Sequence, residues 1–353
     1  MSQEERTFNS AVDSHFSRRT CLITGGAGFL GSHLCLRLLQ AGARIVVFDA
    51  AEKTDRTLLS AFGLTNEVEY VEGDIRVHDD VRKLSRWPFD FVFHLAAQPI
   101  SGLSNLERQA TIDVNAGGTR NLCSVLGGNA NVMVLASSAC SYGIPAQGAS
   151  PLRESEPLRA GFYSYTESKQ KAEQELRNAV GLRRIIGRFV NIYGPGDRHF
   201  SRIIPRTIRQ LLEGEPLALT RGDGSTVLDF LYVDEAIDGF LRLAQHAANS
   251  DDDAPEVFNF GIGSANATSI RELVHKISEI YDDTQRNLIV NEATLEPPMV
   301  KFLDATKAQT ELKWTPHVFL DEGLRKTLAW YRLHIDELAH LEDQEYPVLA
   351  YAN

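Results

Sequence analysis

Tyr165 and Lys169 stand four residues apart in SYTESKQKAE, so on a helix both side chains leave one face. A phenol beside an ammonium gives up its proton more readily and becomes a base. Free tyrosine titrates near ~10, so work at neutral pH requires a fall of roughly three units, about 4 kcal/mol. A cation about 4 Å away at an effective dielectric of about 20 supplies about that much, and Lys169 is expected to suffice. Ser138 ends the apolar run NVMVLASS and adds a hydroxyl that can align an alcohol. Cys140, two residues on, is a proton shuttle if a cation lies near it and otherwise a small buried apolar side chain. Such a set suits removing a hydroxyl proton while a hydride leaves the same carbon.

A hydride needs an acceptor, and TGGAGFLG offers the place for one. Gly25, Gly28 and Gly31 follow the strand-like CLIT and open a helical stretch. Glycine there lets the backbone turn tightly, approach a pyrophosphate and pack the helix on the strand. Asp49 ends the next apolar run, RIVVFD, at the spacing of a carboxylate that takes ribose hydroxyls. It would repel the extra phosphate of NADP, so the expected cofactor is NAD. Asp74, in EGDIR, reads equally as an adenine contact or a helix N-cap. HLAAQ, His94 to Gln98, ends a further strand with small residues that admit a cofactor.

The elements that must position these residues alternate. CLIT, RIVVFD, VEYVEG, FDFVFHLAA, NVMVLASS and RRIIGRF are separated by stretches of helical length. This predicts an α/β domain with a doubly wound parallel sheet, covered on both faces, with ligands beyond the carboxyl ends of the strands. After Phe189 the pattern breaks into proline- and glycine-punctuated pieces, with helices expected near Ile203 to Glu213, Val233 to Gln245, Ser269 to Tyr281 and Asp321 to Leu333. We read a polar N-terminal extension over 1–18 and a dinucleotide-binding domain over 19–190, with return segments near 228–260. A smaller interleaved α/β substrate lobe covers 191–227 and 261–335, and an acidic tail covers 336–353.

The 353 residues are 43% hydrophobic and 24% charged, an ordinary globular composition, and the net charge is -11. That charge disfavours nucleic acid and anionic membranes as partners, and an anionic substrate would need a local positive pocket. Cys21, Cys35, Cys123 and Cys140 lack metal-ligand spacing and read as reduced thiols, so no metal is expected. No stretch reads as a signal peptide or a membrane span, which makes the cytoplasm the expected location.

From about Thr20 to about Arg332 the chain resembles the extended short-chain dehydrogenase/reductase family, the nucleotide-sugar epimerases and dehydratases, which share a Rossmann fold. The resemblance rests on TGGAGFLGSH, GDIR, HLAAQ, DVNAGGTRN, SSACSYG, YSYTESK, RFVNIYGPGD, GDGSTVLDFLYVDEA and KFLDATKAQTELKWTP. It implies that Ser138 aligns a sugar hydroxyl, that Tyr165 is the base, and that Lys169 holds the nicotinamide ribose. It extends the cofactor contacts to Gly25, Gly28, Phe29, Leu30, Gly31, Asp49, Asp74, Ile75, Leu95, Ala96, Ala97 and Asn115. Substrate contacts fall to Gln98, Ser138, Asn191, Arg202 and Arg221. It further implies a homodimer built on helices near Glu107 to Leu126 and Tyr163 to Val180.

Sugar dehydratases carry Asp then Glu after the aligning Ser or Thr; here Ala139 and Cys140 stand there. The SSAC string is similar to that of GDP-mannose 3,5-epimerases, where the Cys is an acid/base. The reading is therefore an NAD-dependent nucleotide-sugar epimerase working through a 4-keto intermediate, with Cys140 as a possible shuttle at ring carbon 3 or 5. The alternatives are a 4,6- or 5,6-dehydratase, or a dehydrogenase on a non-nucleotide substrate. Retention of Ser138, Tyr165 and Lys169 together argues against a non-catalytic cofactor sensor. Two diphosphate-gripping arginines common in the family are missing: Leu228 takes the first place, and the second region reads LEPPMVKF. Arg202, Arg206, Arg221 and Lys301 are the candidate replacements, with a solvated helix face the plain alternative for the arginines near 202–209.

Overall fold

Apolar runs long enough to be buried on both faces make the frame of the molecule. The computed structural model describes residues 10–54, 57–146, 151–219, 222–250, 254–284, 286–290 and 298–339. Strands β1 (Thr20–Thr24), β2 (Arg44–Asp49), β3 (Glu69–Glu72), β4 (Phe89–His94), β5 (Ala130–Ser138) and β6 (Arg183–Phe189) are the six runs named above. The chain then leaves the sheet through β7 (Asn191–Tyr193), β8 (Ala218–Leu219), β9 (Val227–Leu228) and β10 (Phe230–Tyr232), and returns as β11 (Glu256–Phe260). The seven-stranded sheet runs β11-β6-β5-β4-β1-β2-β3, every pair parallel. Side chains alternate between two cores: Cys21, Ile23, Val47 and Phe93 face one, Leu22, Val46, Phe48 and Val92 the other.

Strand order reverses between β1 and β4, which opens a crevice beyond their carboxyl ends. The smaller lobe overhangs that crevice. It adds β12 (Thr268–Ser269), β13 (Ile289–Val290) and β14 (Val300–Lys301); β12 and β14 flank β9, and β13 pairs with β8. Asn259 on β11 ties the two parts together, its amide donating to the carbonyls of Leu152 at 3.0 Å and Asp304 at 3.3 Å.

Two expected boundaries need correction. Residues 10–18 are no mere polar extension: a short helix, Ser10–Ser14, leads into Phe16, which is fully buried with its ring 5.0 Å from that of Phe91. Asp13 meets Arg37 at 2.9 Å beside it. One aromatic side chain is enough to dock a segment whose composition reads as solvated. At the other end the last helix, Leu320–Ala339, runs past the boundary expected at 335, and residues 340–353 lie outside the described residues. No described helix is long and apolar enough to cross a membrane. All four cysteines are free, and Cys140 alone among them is not buried.

Candidate active site

The glycine turn is built for close approach. Gly25 sits at φ +72°, and a Cβ there would lie 2.8 Å from the Ala96 nitrogen; at Gly31 it would lie 2.1 Å from the Gly25 carbonyl. Only hydrogen fits at either position, so the helix Phe29–Gln40 starts tight against the carboxyl end of β1. Asp49 closes the other side. Its carboxylate accepts the N–H of Ala27 at 2.9 Å and of Ala51 at 3.0 Å, which ties the end of β2 to the turn. Burial raises its pKa, opposed by the N–H groups of Ala51, Ala27 and Ala50.

These groups line one cleft of about 1970 Å³ that runs from Asp49 to the smaller lobe. Along it stand Gly25, Gly28, Phe29, Leu30, Gly31, Asp49, Asp74, Ile75, Leu95, Ala96 and Ala97. A helix N-terminus, a glycine cradle without Cβ atoms and a carboxylate at the end of β2 together fit a dinucleotide. Asp74 is not a helix cap: the helix His78–Arg82 follows Val77, and the Asp74 carboxylate instead accepts from Arg76 through its backbone at 2.8 Å and its guanidinium at 2.5 Å.

Catalytic candidates gather where the helix Ser164–Asn178 crosses the end of β5. The Ser138 hydroxyl lies beside the Tyr165 phenol and accepts the Cys140 N–H at 3.1 Å, which starts the tight turn Ala139–Tyr142. Ser138, Cys140, Tyr165 and Lys169 all line the cleft. Other groups of the chain act on the phenol besides the expected Lys169. The Lys169 ammonium donates to the Ala136 carbonyl at 2.9 Å and lies 5.7 Å from the Tyr165 ring centroid. Burial pushes Lys169 down to about 8. Burial first, then Cys140, raises Tyr165; the groups that lower it are the Arg202 guanidinium and the Ser138 hydrogen bond. Part of the Tyr165 ring stays open to the cleft.

Arg202 comes from the other wall. It precedes the helix Ile203–Glu213, and its Nη1 donates to Asp197 Oδ2 at 3.0 Å. Asp197 is buried, and its other oxygen accepts the His199 N–H at 3.2 Å, so one carboxylate shapes the whole loop after β7. Burial and Arg202 push His199 down to about 4, which leaves it neutral at pH 7. Asn191 is exposed in the cleft and donates to the Asp229 carbonyl at 3.1 Å. Leu228 lines the wall where an arginine is missing. Its register partner on β14 is Lys301, which lines the same wall, as does Arg206.

Two expected contacts lie off the cleft wall, and a third lies outside the described residues. Gln98 is buried and folds its amide onto Ile100, accepting its N–H at 2.9 Å, so the side chain is not on the cleft wall. Asn115, also buried and off the wall, donates to Ser168 Oγ at 2.8 Å and accepts the Gln98 N–H at 2.8 Å. It braces the catalytic helix instead of touching a ligand. Arg221 lies outside the described residues. The buried pair Glu173 and Arg188 went unread in the sequence, although Glu173 continues the four-residue spacing of Tyr165 and Lys169.

A glycine-turn dinucleotide site facing a Ser, Tyr and Lys set defines an oxidoreductase-type Rossmann enzyme. The profile of the NAD dependent epimerase/dehydratase family matches residues 21–261, and the chain belongs to that family. It is an enzyme of the NAD-dependent epimerase/dehydratase type, and its cofactor is NAD. A UDP-glucose 4-epimerase of Mycolicibacterium smegmatis is 30% identical over 322 residues, 88% of this chain and 98% of the relative. The structure of a UDP-glucose 4-epimerase of Thermotoga maritima with UDP-glucose superposes with a TM-score of 0.78 at 27% identity, covering 90% of this chain and 99% of that one. A dTDP-glucose 4,6-dehydratase of Streptomyces venezuelae, DesIV, with NAD bound, gives 0.79 at 27% identity, covering 92% and 100%.

Proposed function

We propose that the chain epimerises a nucleotide sugar through a 4-keto intermediate. The observation that carries this is the convergence of Ser138, Tyr165 and Lys169 on one end of the cleft while Ala139 and Cys140 fill the positions of a dehydratase acid and base. NAD, when bound along the glycine turn, would supply the hydride acceptor and donor for ring carbon 4. Ser138 aligns the 4-hydroxyl, and Tyr165 takes its proton under the field of Arg202. Lys169, fixed to Ala136, holds the ribose. Return of the proton from Tyr165 after the sugar turns over gives the inverted alcohol without any further base.

Cys140 favours a second reading, inversion at carbon 3 or 5. Its thiol lines the cleft, and its charge would act on both Tyr165 and Lys169, so it sits among the reacting groups. A ketone at carbon 4 acidifies the neighbouring C–H bonds enough for a thiolate to remove a proton. The substrate's diphosphate would lie toward Lys301 and Arg206, since a doubly charged group in a cleft needs cations. We assign the chain to the cytoplasm, where reducing conditions suit four thiols, and to a homodimer, which sedimentation would test.

Incubation of the NAD-loaded protein with UDP-glucose and other nucleotide sugars in heavy water decides between these. Epimer without deuterium leaves inversion at carbon 4. Deuterium entering at carbon 3 or 5, and lost in Cys140→Ala, assigns the thiol. Loss of water, or net accumulation of reduced nicotinamide, would overturn the epimerase reading.

A further inference from the structure

The three residues that end β5 are each held by a different turn of one helix. Lys169 Nζ donates to the Ala136 carbonyl at 2.9 Å, Ser137 Oγ donates to Glu173 Oε1 at 2.6 Å, and Ser138 meets Tyr165. Positions 165, 169 and 173 lie at four-residue spacing, so a single helix face carries all three. Glu173 is 1% exposed, and its carboxylate is saturated: Arg188 Nε donates to Oε1 at 2.9 Å and Nη2 to Oε2 at 2.6 Å. Arg188 is itself 3% exposed and is the register partner of Ser137 across β5 and β6, so both reach Glu173 from one side of the sheet. Behind it the guanidinium lies 4.6 Å from the Tyr142 ring, and the Tyr142 hydroxyl donates to Asn259 Oδ1 at 2.7 Å. The chain of contacts thus runs from the catalytic helix to the residue that ties the smaller lobe to the sheet.

Stability is a poor account of this pair. Burying two charges costs desolvation that their attraction often does no more than offset, and apolar residues of similar volume hold a helix on a sheet as well or better. What sets the pair apart is its place one turn from a buried ammonium. We propose that Glu173, held by Arg188, is a positioning residue of the active site: it fixes the catalytic helix on the end of β5 and serves as the counter-ion that keeps Lys169 protonated.

The groups around Lys169 leave Glu173 in that role. Tyr165 shares its helix face, Cys140 faces it from the turn after β5, and His94 from the end of β4. His94 is buried between the hydroxyls of Thr24 at 2.8 Å and Thr119 at 2.9 Å, and is pushed down to about 3 by burial and by Lys169, so it stays neutral. Among these groups Glu173 is the one carboxylate. Burial lowers Lys169, and Glu173 is the first group that holds it up.

The test reads Lys169 directly in the full-length protein, by carbon NMR of labelled lysine across pH, its signal identified by loss in Lys169→Arg. Wild type is expected to titrate at about 8. Glu173→Gln keeps the volume and is expected to lower the midpoint by roughly one pH unit or more, the effect of losing a charge one helical turn away at an effective dielectric near 20. Should Arg188, left alone, unfold that variant, Glu173→Leu with Arg188→Met replaces both charges, and a smaller downward shift is expected because a cation farther from Lys169 leaves with the carboxylate. A midpoint that does not move in a folded variant overturns the proposal. Failure of both variants to fold assigns the pair to stability alone and overturns it equally. Because no sugar is needed, the result is separate from the outcome of the substrate panel.

Discussion

Asp229 joins β9 to β10 and is wholly buried beside the cleft wall. Its Oδ2 accepts the Gly263 N–H at 2.8 Å, while Oδ1 has no partner among the described residues. Burial pushes its pKa up to about 7, against the N–H groups of Gly263, Phe230 and Ile262. An unfolded aspartate titrates near ~4. Between that value and about 7 the folded protein keeps a proton that the unfolded chain has released, so stability falls as pH rises. The contribution is fully present below ~4 and gone above about 7, a span of three units or about 4 kcal/mol as an upper figure. Asp229→Asn keeps the shape and cannot ionise. Urea unfolding of both proteins at about pH 5 and about pH 8 isolates the group, because every other titration is common to the two. The variant should gain roughly 2–3 kcal/mol on wild type between those pH values, the share of the window they enclose. A difference between the proteins that is the same at both pH values would refute the claim that Asp229 folds as the neutral acid.

Two further outcomes test the cleft itself. Arg202→Leu removes the cation that lowers Tyr165, so the acid limb of the turnover profile of NAD-loaded protein on UDP-glucose should move to higher pH; an unmoved limb would return the task to Lys169. Lys301→Met should raise KM for UDP-glucose about tenfold or more with kcat little changed, as expected for one charged hydrogen bond to a phosphate worth about 1.5–3 kcal/mol. A changed kcat with the same KM would place the diphosphate elsewhere.

Local features of this chain were legible because each is fixed by a few neighbouring residues. Six of the seven strands centre on short apolar or β-branched runs, and the glycine turn sits between a strand and a helix. β11 was read only as a return segment, since EVFNF mixes polar and apolar residues and takes its place from β6. Directions of long side chains were not legible at all. The spacing of Tyr165 and Lys169 sets a shared face, but a four-carbon stem can pass beneath a ring, and here the open Ala136 carbonyl draws the ammonium there. Gln98 looked like a ligand contact because it is polar at a strand end, and Asn115, on the helical turn Asp113–Gly117, because the string DVNAGGTRN resembles the family's. They are spent instead on the backbone of the loop after β4 and on Ser168, groups that would otherwise be buried without partners.

Glu173 shows where legibility ends. Its spacing is written in the sequence, yet its meaning depends on Arg188, which reaches it only through the register of β6 against β5. A slip of β6 by one residue would turn Arg188 to the opposite face and leave the buried Glu173 with Arg177, 3.6 Å away and half-buried, as its cationic partner. Breaking a buried pair in that way costs about 3–5 kcal/mol, far more than the intact pair contributes. The ion pair that acts on Lys169 therefore also penalises the wrong alignment of the two strands beneath the catalytic turn. A single interaction thereby links strand register, the placement of Tyr165 on Ser138 and the charge of the neighbouring lysine.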